Sequence, residues 1–220
     1  MSYENVKNAF NKAADSVYQT DTTGTFLESV FDKIVLNSIQ HIEEKNILIY
    51  EVGCGNGRWM KYLLNHSQKN IVKITGSDLS NKMIEKGKII LEDYINLGKA
   101  ELLTHNIVSD EIKLKNKYHL IYFIDVFQHL KKKDYLLTLK KVNQILHPKG
   151  LIVIADKEKY SKYGFKMAIK RILKLVPPYY MTSHYPSLTY LRFLAKKTGL
   201  ITIHTIKYKQ FRGLWLKHID

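Results

Sequence analysis

Residues 47–64 read ILIYEVGCGNGRWMKYLL, and their character changes midway. Apolar residues run into Glu51, glycines alternate at positions 53, 55 and 57, and a helical pattern begins at Trp59. The first part has the length of a buried strand, whereas WMKYLLNH repeats its apolar residues at the three- and four-residue steps of a helix. A carboxylate and three conformationally free residues at such a junction point to something that needs close access to main chain.

The rest of the chain repeats this alternation. Strands are predicted at ILIYEV (47–52), IVKITGSD (71–78), ELLTHNI (101–107), YHLIYFID (118–125) and LIVIAD (151–156). Helical patterns fill WMKYLLNH, SNKMIEKGKIILEDYI and DYLLTLKKVNQILH. Ser80 is placed to cap the second, and Asp134 to cap the third or sit in its first turn. HPKG (147–150) then reads as a stop. Strand and helix in alternation imply a parallel sheet with helices on both faces. The tail differs: a helix over 187–200, ended by Gly199, precedes strands at 201–208 and 211–219 joined by a turn, hence antiparallel. The expected fold class is α/β, a three-layer sandwich around a mostly parallel seven-stranded sheet that ends in an antiparallel hairpin. One domain is expected over 1–220, with a helical arm at 1–40 and a lid at 157–186.

Composition narrows the class further. Hydrophobic residues make up 45% and charged residues 25% of 220 positions, which is ordinary for a globular chain. Cys54 is the only cysteine, so an internal disulfide and a cysteine-based zinc cluster are excluded and no metal is expected. MSYENVKNAFNK lacks the apolar core of a signal peptide, and no apolar run approaches the roughly 18 residues of a membrane span. A cytoplasmic protein is expected. The net charge of +15 is uneven: residues 111–220 hold 23 Lys and Arg against 6 Asp and Glu, while residues 1–110 hold 12 against 14. The basic half suits an anionic partner, although lysine-rich faces also occur simply as solvated surface.

The glycines do not form a dinucleotide fingerprint. GxGxxG would need a third glycine at position 58 or 60, where Arg58 and Met60 stand, and the phosphate loop GxxxxGK[ST] is absent. The spacing is instead Glu51-x-Gly53-x-Gly55-x-Gly57. With TGSDLS, IDVFQHL and LHPKG following in order, this resembles the class I S-adenosylmethionine-dependent methyltransferases over about residues 47–156. The resemblance implies a Rossmann-like fold and S-adenosylmethionine as cofactor, with its methionine part against the bare turn of Glu51, Gly53, Cys54, Gly55 and Gly57. It implies ribose hydroxyls on Asp78, adenine beside Leu79, Asn106 and Ile107, Asp125 closing strand four, and Tyr18 of the arm folding over the cofactor. Asn106 can also be a turn residue, and Tyr18 can be core packing.

Methyl transfer rests on alignment, with proton removal where the acceptor needs it. Candidate bases are His129, Asp125 and His184; His129 is best placed, just past strand four, although a packing role also fits it. The Asn or Asp followed by Pro-Pro-Tyr that adenine or cytosine amino methyltransferases usually carry is missing after strand four, and in VPPY (176–179), which follows strand five, the preceding residue is the apolar Val176. In the lid, Lys162, Lys166, Lys170 and Lys174 fall four apart and line one helical face, with Phe165, Ile169, Ile172 and Val176 on another. Lys166 and Lys170, with Tyr179, Tyr180 and His184, are expected to meet the acceptor. Such a basic helix can grip an anionic acceptor, rest on an anionic membrane, or be solvated surface. The expected acceptor is a small anionic molecule, a glycan or a lipid precursor, methylated on oxygen or nitrogen. RNA is the rival substrate, and a non-catalytic cofactor-binding or assembly protein is the rival class; no stable protein partner is inferred.

Overall fold

The structure is a computed structural model that describes residues 2–14, 25–112, 117–157, 162–176 and 185–219. Helix α1 (Tyr3–Ala14) comes first, then α2 (Thr25–Phe31), a π-helical turn (Asp32–Leu36) and α3 (Asn37–Ile39). Next come β1 (Asn46–Val52), α4 (Arg58–His66), β2 (Asn70–Asp78), α5 (Asn81–Ile90), α6 (Glu92–Asn96) and β3 (Ala100–Thr104). Then follow β4 (Tyr118–Ile124), α7 (Tyr135–Gln144), β5 (Leu146–Lys157), α8 (Lys162–Ile172), α9 (Leu188–Lys197), β6 (Leu200–Tyr208) and β7 (Phe211–His218).

The seven strands lie in the order β3-β2-β1-β4-β5-β7-β6. The first five are parallel, and β7 runs antiparallel to both β5 and β6. This is the expected three-layer α/β sandwich. Central strands are buried on both faces, which explains their nearly continuous apolar runs. On one face Ile47 and Ile49 pack with Phe31, Ile34, Trp59 and Leu63. On the other, Tyr50 and Val52 pack with Phe127, Leu139, Val142 and Leu191. Among the described residues, no helix is long and apolar enough to cross a membrane.

Local chemistry explains where the boundaries depart from expectation. Ser80 does cap α5, its hydroxyl taking the Met83 N–H at 3.1 Å, but the predicted single helix breaks at Leu91 (φ −107°, ψ 13°) into α5 and α6. Asp134 makes no side-chain cap; its carboxylate instead accepts the Tyr3 hydroxyl at 2.6 Å, tying α1 to the start of α7. The HPKG segment lies inside β5, where a register shift against β4 absorbs the proline. Strand β3 stops at Thr104 because Asn106 turns the chain, its Oδ1 accepting the Val108 N–H at 3.0 Å.

Gly213 on β7 marks where the sheet meets the N-terminal helices: a Cβ there would lie 2.6 Å from Ile34 Cγ2. Gly213→Val is expected to lower unfolding stability by about 1–3 kcal/mol through overpacking. Urea denaturation reads this directly, and an unchanged midpoint would contradict the tight contact.

Candidate active site

Strands β1, β2 and β4 end side by side, and a cavity of about 170 Å³ opens at their carboxyl ends. The β1–α4 turn forms one wall. Gly53, Gly55 and Gly57 all take positive φ, at 72°, 54° and 73°. The Gly53 and Cys54 N–H groups donate to Ser77 O at 2.7 and 2.9 Å, which holds the turn against β2. A Cβ at Gly53 would come 2.5 Å from Val126 Cγ2, whereas one at Gly55 would meet no atom within 4 Å. Bare main chain therefore faces open space at Gly55, in a conformation that L side chains disfavour.

Asp78 completes this wall. Its Oδ2 accepts the Gly55 N–H at 2.9 Å and its Oδ1 accepts the Ser80 N–H at 2.8 Å. A carboxylate offers about four acceptor positions, so these N–H groups do not exhaust it. Burial pushes the Asp78 pKa up, opposed by the N–H groups of Ser80, Gly55 and Leu79. The side chains of Leu79, Ile107 and Met83 supply apolar lining. Asn106 also lines the cavity, with its carbonyl already engaged by its own turn.

Asp125 sits just past β4 with a φ of 57°, unusual for a residue other than glycine. Lys157 secures it: Nζ lies 2.6 Å from both carboxylate oxygens, and the lysine side chain is only 5% exposed. His129 lines the cavity, and the Phe10 ring meets it edge-on at 5.1 Å. A smaller cavity of about 30 Å³ adjoins, sharing Arg58, Trp59, Ile124 and Asp125 with the first. Its aromatic wall is the Phe31–Trp59 stack, with centroids 4.4 Å apart.

Of the residues expected at the site, Gly53, Cys54, Gly55, Asp78, Leu79, Asn106, Ile107, Asp125 and His129 do converge on the cavity. Glu51 and Gly57 are not among its lining residues. Glu51 is buried, accepts the Tyr122 hydroxyl at 2.8 Å and supports the turn from beneath, while Gly57 leads into α4. Lys166 and Lys170 lie on α8 and line neither cavity. Tyr18, Tyr179, Tyr180 and His184 fall outside the described residues. The Cys54 thiol is buried, and burial beside Asp78 and Glu51 pushes its pKa well up, which leaves it a poor nucleophile.

Sequence reasoning expected the arm over the cofactor through Tyr18 but named none of the α1 residues that line the cavity. Tyr3, Val6 and Phe10 line the cavity, and their three- and four-residue steps were the available signal. It also missed Arg58, inside the opening stretch, and Lys157, the charge that ends the LIVIAD run. Gln128 Oε1 and His105 Nε2, on two cavity-lining residues, are buried without a hydrogen-bond partner among the described residues. Buried polar atoms rarely stay unpaired, so a polar ligand suits this cavity. Spare acceptors on Asp78 suit vicinal hydroxyls, and the uncrowded main chain at Gly55 suits a closely lying chain, as S-adenosylmethionine would require.

At the opposite, amino-terminal ends of the strands, ligand atoms of Glu44, His119 and His147 lie within 4.8 Å of one another. His119 Nδ1 accepts the Leu48 N–H at 3.0 Å, which places the ring proton on Nε2. With both nitrogens so occupied, that ring has no lone pair left for a metal.

Burial raises the Glu51 pKa well above its ordinary 4.5. A carboxyl neutral in the fold but ionised in the unfolded chain stabilises the fold fully below its unfolded pKa. That stability is lost as pH rises toward the folded pKa. Glu51→Gln should therefore resist denaturation better than the parent at pH 7, with the advantage vanishing at about pH 4. A difference that stays constant across this window would show that Glu51 is ionised in the fold.

Comparison with known proteins fits this geometry. A family described as "Methyltransferase domain" matches residues 26–205. A carboxy-S-adenosyl-L-methionine synthase of Glaesserella parasuis is 31% identical over 109 residues, covering 50% of this chain and 44% of that protein. A demethylmenaquinone methyltransferase of Staphylococcus saprophyticus is 29% identical over 129 residues, covering 58% and 52%. The chain thus spans about half the length of the curated relatives it matches. In fold it is similar to the magnesium protoporphyrin IX methyltransferase of Synechocystis PCC 6803 with bound SAH, with TM-score 0.72 at 15% identity over 99% of this chain and 100% of that one. A DhpI–SAH complex gives 0.69 at 13% identity, covering 99% and 98%. A family match across most of its length, joined to the sheet order and the glycine turn above, makes this chain a member of the methyltransferase domain family.

Proposed function

We propose that this chain is an S-adenosylmethionine-dependent methyltransferase that methylates oxygen or nitrogen of a small anionic acceptor. The observation that carries the reading is the bare, positive-φ main chain at Gly55, hydrogen-bonded to an Asp78 that retains acceptor positions beside a cavity. Names borne by similar proteins agree with it, since two are methyltransferases and the structural neighbours carry SAH. We take residues 1–220 as one cytoplasmic domain.

When bound, the cofactor would supply a methyl carbon made electrophilic by an adjoining positive sulfur. Asp78 would accept its ribose hydroxyls, and Leu79 and Ile107 would flank its base. Gly53 and Gly55 would let its amino-acid part approach the backbone. Gln128 Oε1 offers an unpaired acceptor for an amino group. Phe10 and Tyr3 of α1 would shield the cavity from water. Positioning can supply much of the rate, because the leaving group is already activated. His129, held edge-on by Phe10, would orient the acceptor and take its proton on a ring nitrogen. Arg58, on the walls of both cavities, would attract an acceptor's negative charge.

Asp78→Ala should weaken cofactor binding by about 1–3 kcal/mol, the scale of a lost charged hydrogen bond. Calorimetry tests this, and unchanged affinity would remove Asp78 from the site. Hydroxyls donate to the ionised carboxylate, so affinity should fall on acidification. Because burial raises this pKa, the fall should begin above the ordinary carboxyl value of 3.8. His129→Ala should slow transfer roughly 10²–10⁴-fold at neutral pH if the histidine acts as base. A full rate in that variant would reduce His129 to packing.

A further inference from the structure

Helix α8 is built the wrong way round for a surface helix. Its inward face is Met167, 7% exposed, and Arg171, whose guanidinium lies 4.8 Å from the Tyr185 ring centre. Phe165, Ile169 and Ile172 recur at helical spacing on the side away from Met167, and they are 70%, 44% and 80% exposed. The helix end adds two more exposed apolar residues. The Lys174 N–H donates to Arg171 O at 3.0 Å and the Leu175 N–H to Lys170 O at 2.8 Å, with Lys174 at a φ of 54°. This closes the last turn as a Schellman motif and leaves Leu173 and Leu175 59% and 65% exposed. Lys162, Lys166 and Lys170 flank one side of the stripe, and no acidic residue occurs between 162 and 176.

Simple solvation does not account for five large apolar side chains gathered on one short segment. Charge selects the occupant. A second copy of this chain, itself +15, would bring like charge against the lysines, whereas anionic headgroups complement them. We propose that α8 docks in the plane of an anionic lipid surface, with Phe165, Ile169, Ile172, Leu173 and Leu175 entering the acyl boundary and the lysines meeting headgroups. The inference goes beyond methyl transfer and is tested without cofactor or acceptor, so either can fail alone.

The test is co-sedimentation of the full chain with vesicles of phosphatidylglycerol and phosphatidylcholine, or of phosphatidylcholine alone, alongside analytical ultracentrifugation. The chain should sediment with the mixed vesicles and stay in solution with the neutral ones. F165S/I172S should lower the partition at least about tenfold while circular dichroism stays unchanged, because the apolar contacts carry insertion. K166E/K170E should weaken it by at least about tenfold as well, through lost headgroup attraction. Absence of binding to mixed vesicles overturns the proposal. So does equal binding by F165S/I172S, which would mark a general effect of basic charge. A dimer that F165S/I172S dissolves also overturns it, since a second copy would then cover the stripe.

Discussion

The hydrogen bond from the Gly55 N–H to Asp78 joins the turn after β1 to the end of β2. It works only if residue 55 adopts a positive φ, which brings its N–H to the carboxylate and leaves its Cα face open. Around it, Ser77 O takes two further turn N–H groups, and the buried Glu51–Tyr122 pair supports the strand below. The site is therefore assembled from two adjacent parallel strands. Their register fixes the separation of the turn and the acid.

Burial recurs as the means of tuning. Glu51, Asp78 and Cys54 all have raised pKa values for the same reason, the cost of a charge taken from water. Asp156, deep between Asp125 and the backbone of Gln128, is pushed up in the same way. At Asp125, Lys157 meets both carboxylate oxygens. That ion pair holds a carboxylate where the two cavities meet, on a backbone that would otherwise resist the geometry.

Much of this was legible in the chain itself. Continuous apolar runs located β1, β4 and the core of β5, because parallel strands are buried on both faces. Alternating glycines and the acid at 78 located one wall of the cavity, since each responds to a local backbone demand. Features that depend on distant partners were not legible. Asp134 looked like a cap because nothing local reveals that Tyr3 arrives to claim it. Glu51 looked like a ligand contact, yet its strand face points it at Tyr122. The contribution of α1 to the cavity, and the outward stripe on α8, depend on how helices dock. Amphipathic spacing reports a face without saying what that face meets.

The central claim is that the turn at 53–57 and the acid at 78 together hold S-adenosylmethionine. Amide hydrogen exchange with and without a saturating amount of that compound tests it most directly. The account predicts slower exchange across residues 53–57 and 78–80, with α8 unaffected. Unchanged exchange at the turn, or protection confined to some other part of the chain, would contradict it.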